Sequence, residues 1–167
     1  LDEALKLGNH IAIMKDGEIV QHDTPENIVL NPADDYVRNF VAHTNPVEVV
    51  KANALLRPLS ELRTVDNEYC LSQRHDYWLK VDETPLKSSV RYGSNKHELQ
   101  NWSSDKPVET LLKQPTLVHS NTLMKEVMEI RYHTGHGVLV VDQNKIVGYI
   151  GDKDIYHAML GKLFEED

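Results

Sequence analysis

The sequence predicts an α+β (α/β) chain: a front β-hairpin with short helices, followed by two modules of the βαββα type. Three observations carry this. An apolar run broken at Asp16-Gly17 marks a hairpin. The C-terminal third reads strand, helix, strand, strand, helix. Leu79–Ser94 also lies without a gap on Leu139–Asp154, apolar position on apolar position, so the middle third reads as a degenerate copy of the last. The resulting boundaries are 1–45, 55–110 and 111–167.

Leu1 to Leu7 reads as one or two helical turns stopped by Gly8. Ile11, Ile13 and Met14 form a short strand, Asp16-Gly17 supplies the positive φ angles of a tight turn, and Glu18–Gln21 returns. Thr24-Pro25 starts a helix, because the hydroxyl caps a free N–H and proline suits the first helical position. Asn31-Pro32 ends it. A second helix follows, with Tyr36, Val37, Phe40 and Val41 on one face.

In the middle third the expected order is a leading helix within Leu59–Arg74, a hairpin over Leu79–Val90 and a short helix near Asn95–Trp102. A linker holding Ser103, Ser104, Lys106 and Pro107 leads to a short helix, Val108–Lys113. Thr116–Val118 is then a strand. Ser120 or Asn121 caps a helix in which Leu123, Val127 and Ile130 share a face. Val138–Val141 is a continuous apolar strand buried on both faces. Asp142–Lys145 turns, Ile146–Ile150 returns, and Asp152 caps a final helix carrying Ile155, Tyr156, Met159, Leu160 and Leu163.

Composition narrows the function classes. Hydrophobic residues make up 40% and charged residues 26%, which fits a chain with a packed core. No apolar run approaches the roughly 20 residues a spanning helix needs. The net charge of −8 argues against nucleic acid as a partner. Cys70 is the single cysteine, so no internal disulfide forms, in keeping with a reducing compartment. Arg57, Arg63, Arg74, Lys80, Lys87, Arg91 and Lys96 concentrate positive charge in the middle third; solvated surface is the plain reading and a membrane-facing patch the sharper one.

The stretch "LDEALKLGNHIAIMKDGEIVQHDTPENIVLNPADDYVRNFV" resembles the end of an ABC-transporter ATPase domain, in the part that follows the family's switch histidine. More narrowly it is similar to the ATP-binding subunits of osmoprotectant importers, the glycine betaine, proline and choline group, which carry C-terminal regulatory extensions. The chain lacks a G-x-x-x-x-G-K-[ST] phosphate loop, a Walker B acidic strand end and an ABC signature motif. The resemblance therefore implies an ATPase tail plus its extension, with no catalytic residues and no cofactor of its own. ATP and Mg²⁺ would belong to the full-length protein. Its implied partners are the remainder of the ATPase domain and, through it, a membrane permease and a substrate-binding protein. Its implied place is cytoplasmic, peripheral at the inner face of the cell membrane. Cut free of that domain, Tyr36, Val37 and Phe40 are expected to fold back on the extension, to self-associate or to be mobile.

"QPTLVHSNTLMKEVM", "VLVVD" and "IVGYIGDKDIY" resemble a CBS module, and the internal repeat extends this to a tandem CBS-domain pair. The last string corresponds to the family's G-h-h-[ST]-x-x-D signature. The resemblance implies an adenine nucleotide in the cleft between modules, with Asp154 accepting from the ribose and backbone near Thr116, Leu117, Val118, Val138 and Leu139 lining the base. Gly148 and Asp154 match, but Gly151 stands where the family's phosphate-contacting hydroxyl should be. In the first module Ser94 replaces the carboxylate, while Arg91 could meet phosphate from across the cleft. A regulatory gate answering to ionic strength or to a ligand follows from the resemblance; an adenine-nucleotide or cyclic-dinucleotide sensor and a purely structural dimeriser are the alternatives. CBS pairs associate face to face, which implies a homodimer, with Trp78 or Tyr92 on such a surface.

His133-x-x-His136 has a spacing that two metal ligands can share, but a site needs three or four, so a solvated turn is the expectation and no metal is assigned. The terminal Phe164–Asp167 run reads as a frayed helix end. A Ser-His-Asp set can be assembled only on paper. Because the phosphate-handling motifs are missing, the chain is expected to release no inorganic phosphate from ATP above background. Steady release that tracks the purified protein in a phosphate assay would overturn this.

Overall fold

The computed structural model describes residues 1–160. The front unit begins with α1 (Asp2–Leu7), β1 (Ile11–Lys15), β2 (Glu18–Asp23), α2 (Pro25–Leu30) and α3 (Asp35–Phe40). Strands β1 and β2 pair across Asp16 (φ 52°) and Gly17 (φ 83°), the left-handed pair the hairpin requires. Thr24 caps α2 by accepting from the Asn27 N–H, Pro25 opens the helix, and Asn31 closes it. Asp34 caps α3 in the same way. Val37 is fully buried with Leu5, Ile13, Ile28, Val41 and Val49, so the expected apolar stripe closes a small core of its own. Phe40 stays largely exposed.

The chain then runs through α4 (Ala52–Leu55) and β3 (Arg57–Pro58) into five antiparallel strands: β4 (Thr64–Val65), β5 (Glu68–Ser72), β6 (Tyr77–Lys80), β7 (Ser89–Tyr92) and β8 (Asn95–Glu98). The helices expected within Leu59–Arg74 and near Asn95–Trp102 are strands and turns instead. The reason is local. Neither stretch has a 3.6-residue apolar stripe, whereas Leu71, Leu79 and Val90 recur on one face of the meander. Positive φ at Asp66, Asn67 and Gly93 makes the turns of adjacent hairpins. The expected pairing of the two central strands does occur, with Leu79 opposite Val90.

The last part comprises β9 (Gln100–Asn101), β10 (Thr116–His119), α5 (Met124–Thr134), β11 (Val138–Asp142), β12 (Lys145–Ile150) and α6 (Asp152–Leu160). Its sheet runs β3-β12-β11-β10-β9, with β10 parallel to β11 and β12 returning antiparallel through Gln143 and Asn144, both at positive φ. Residues 108–110, expected as part of a helix, form one 3-10 turn. No side chain of Ser120 or Asn121 caps α5. Leu123 takes the cap position and its N–H donates to the Glu126 carboxylate. Asp152 is the first residue of α6 rather than its cap; the Ile155 N–H donates to the Gly151 carbonyl. Leu163 and the terminal acidic run lie outside the described residues.

Strand β11 sits between two covers. Val138 and Val140 face a core with Val127, Ile130, Ile155 and Ala158 of the helices. Leu139 faces Leu71, Tyr77, Leu79 and Val90 of the antiparallel sheet. Gly148 permits the edge pairing with β3: a Cβ there would lie 2.7 Å from the Arg57 carbonyl oxygen. The α+β expectation therefore holds, with the helices gathered on one face of the second sheet.

Leu139 is wholly buried where the two sheets meet. Leu139→Ala is expected to destabilise the chain by about 2–5 kcal/mol. Met14→Ala, at a mostly exposed position, should stay within about 0.5 kcal/mol. Urea unfolding of the two variants measures the contrast.

Candidate functional site

A cleft of about 850 Å³ opens where the two sheets and α6 converge. Arg57 comes from β3, Arg74 and His75 from the β5–β6 turn, Tyr77 and Tyr92 from the antiparallel sheet. Arg131 comes from α5, Gly135–Gly137 from the following loop, Tyr149 from β12, and Lys153 and Tyr156 from α6. Four cationic side chains thus surround one opening in a chain of net charge −8. Asp152 also lines it, but the carboxylate is held by Arg131 through bonds of 2.6 and 2.9 Å. Arg74 and Lys153 have no ion-pair partner among the described residues.

The residues singled out in the sequence divide. Asp154 and Gly151 stand at the cleft end of the sheet. Thr116, Leu117, Val118, Val138 and Leu139 are buried and do not line the cleft. Their strands are central and paired on both sides, which uses the backbone groups expected to meet a base. The Thr116 hydroxyl donates to the Gln114 carbonyl and accepts from the Gln100 amide. Leu117 and Val118 border a separate hollow of about 340 Å³, lined also by Trp102 and His119. Arg91 does not reach the cleft. It pairs with Glu68 at 3.2 Å, donates to the Gly93 carbonyl and lies 5.7 Å from the Trp78 ring centre, because the alternation of β7 turns it away from the second sheet.

Gly151 lacks a hydroxyl, but a phenol stands nearby: a Cβ built on Gly151 would lie 3.1 Å from the Tyr149 hydroxyl. Asp154 is already engaged. Its Oδ1 and Oδ2 lie 2.9 and 3.2 Å from Arg57 Nε, and Oδ2 accepts from the Gly151 N–H at 2.8 Å. The Asp154 side chain is 9% exposed. Arg57 also donates to the Leu71 carbonyl of β5 at 3.1 Å and lies 5.6 Å from the Tyr149 ring centre. One guanidinium therefore ties the α6 turn to both sheets.

Tyr77 projects from the antiparallel sheet between Tyr149 and His136. Its hydroxyl is 2.9 Å from His136 Nδ1, and His97 stacks obliquely against the same imidazole at 5.1 Å. His133 Nε2 meets the Leu111 carbonyl. The two histidines expected in a solvated turn are thus partly buried, each with a partner. Among the described residues no group of three or more metal-ligating side chains occurs. Tyr77, Arg131, Tyr149 and Lys153 have no sequence signal because they converge from distant positions; Arg57 stands out only as one of the cations of the middle third, and His136, flanked by glycines, is the visible sign.

Burial, chiefly, pushes the Tyr77 phenol upward and that of Tyr149 up to about 12, so both keep their protons. Burial first, then His97 and Arg131, holds His136 below the ordinary histidine range. The folded chain therefore favours the neutral ring, and the unfolded chain takes the proton first. Stability should fall as pH drops through about 6.5 towards the lowered value, with no such loss above it. Urea unfolding between pH about 7.5 and about 5 is expected to show a shallower acid loss for His136→Gln than for the wild type. Equal slopes would count against it.

A family model described as the CBS domain matches residues 108–161. The carnitine transport ATP-binding protein OpuCA of Listeria monocytogenes is 29% identical, over 90% of this chain and 41% of its own length. The glycine betaine/proline betaine transport system ATP-binding protein ProV of Salmonella typhimurium is 28% identical over 95% of this chain and 42% of its own. The glycine betaine transport ATP-binding protein OpuAA of Bacillus subtilis is 30% identical over 87% and 36%. The chain spans about two fifths of the length of these relatives. No solved structure matches it significantly. Residues 108–161 match the CBS domain model, in a chain that resembles the C-terminal part of proteins named as ATP-binding subunits of glycine betaine and carnitine transport systems.

Proposed function

We propose that this chain is the ligand-controlled regulatory region of an ATP-binding subunit in an ABC importer for glycine betaine, proline or choline-type osmoprotectants. The relatives' names support the transporter part. The whole subunit would hydrolyse ATP with Mg²⁺, act on a membrane permease supplied by a substrate-binding protein, lie at the inner face of the cell membrane, and pair as a homodimer. No helix among the described residues is long and apolar enough to cross a membrane.

The observation that carries the ligand reading is the cationic, tyrosine-walled cleft. Arginine and lysine attract phosphate, aromatic faces stack on a base, and the volume suits a small molecule. An adenine nucleotide or a cyclic dinucleotide combines these features. A second reading, gating by ionic strength, is favoured by one exposed pair joining the front unit to the last part, Lys125–Glu48 at 3.5 Å. The Debye length falls from about 10 Å at 0.1 M salt to about 3 Å at 1 M, which weakens such contacts.

A thermal-shift panel with AMP, ATP and a cyclic dinucleotide tests the first reading. At 100 times Kd a ligand adds about 2.7 kcal/mol, a rise of about 5 °C or more for a chain of this size. No shift with any of the three overturns it. The same melts without ligand, taken from about 0.1 to about 1 M KCl, are expected to show a falling Tm if the exposed Lys125–Glu48 pair acts as a latch. A flat or rising Tm counts against the latch.

A further inference from the structure

We propose that Arg57 makes the cleft selective for phosphorylated ligands: it closes Asp154 to a bare nucleoside and becomes a phosphate partner when a nucleotide enters. The inference rests on the ligand reading above and adds the residue that sets its specificity. Asp154 does not itself line the cleft, whereas Arg57 does. Both carboxylate oxygens are within bonding distance of the Arg57 Nε, and Oδ2 also takes the Gly151 N–H. The carboxylate that a ribose diol would need is therefore covered by a guanidinium and satisfied.

A diol can reach Asp154 only by displacing Arg57. Two neutral hydroxyl donors then replace a charge-assisted pair, and Arg57 also loses its bond to the Leu71 carbonyl. A nucleoside offers the displaced guanidinium nothing in return. A nucleotide offers a phosphate, which a guanidinium can grip with two parallel N–H···O bonds. Arg74 and Lys153 stand around the same opening and add to the attraction. The exchange is balanced only when ribose and phosphate arrive on one molecule. Because Arg57 also bonds to β5, the same exchange would loosen the antiparallel sheet from α6, which gives the cleft a mechanical output.

The test is calorimetry on the whole chain with adenosine and AMP, for the wild type, Arg57→Gln and Asp154→Asn. The wild type should bind AMP at least about tenfold more tightly than adenosine, the worth of one charge-assisted contact. Arg57→Gln should gain affinity for adenosine and lose it for AMP, so the ratio shrinks. Asp154→Asn frees Arg57 and should widen the ratio; it also serves if Arg57→Gln does not fold. AMP binding with the same ratio in both variants would end the role of Arg57 and leave the ligand reading standing. No binding of AMP to the wild type would end this proposal, and a flat response across the nucleotide panel would end the ligand reading as well.

Discussion

Val138 to Val141 form a strand with no hydrophilic face, and most of the molecule can be derived from the need to cover it. A central strand of this kind needs a layer on each side. Helices α5 and α6 bury Val138 and Val140; the antiparallel sheet buries Leu139. At about 25 cal/mol per Å² of apolar surface removed from water, each layer contributes substantially to stability. The two layers differ in shape and do not close at every edge. They part at the start of β11 and the end of β12, where polar and aromatic side chains take over from aliphatic ones. The cleft is the seam between the two covers.

The first turn of α6 sets the electrostatics of that seam. Asp152 and Asp154 both lie where a helix N-terminus favours negative charge. Each draws an arginine, Arg131 from α5 and Arg57 from β3. The helix end is thus neutralised by its own acids, and an incoming anion meets side-chain cations rather than free backbone N–H groups. This arrangement brings several arginines to one place in an acidic chain without leaving all of them unpaired.

Elements whose signals are local could be read from the sequence. Asp16-Gly17, Thr24-Pro25 and the run Val138–Val141 state their geometry within a few residues, and each appears where expected. The middle third failed because an alignment of apolar positions does not distinguish the periods that follow it. Leu79 and Val90 fit both a hairpin of a CBS module and two strands of a meander; the Gly93 turn, which sends the chain back as β8 rather than into a helix, decides between them. Of the cleft lining, Gly151 and His136 carried a local signal in the sequence, as did Asp154 just behind it. That Arg57 would cover Asp154 depends on β3 joining the edge of a sheet formed mostly of residues after position 100, and no short-range pattern encodes such a return.

The strands at the margins of the two large sheets carry one more consequence. β3, β4 and β9 are each two residues long, β3 contains Pro58, and β8 reads Asn95-Lys96-His97-Glu98. A border with so few unpaired N–H and C=O groups, or with charge and proline along it, is a poor template for another chain's backbone. Copies brought together at high local density can thus lie side by side without zipping their sheets into one another. Any contact between copies is then left to side chains, where it can be selective and reversible.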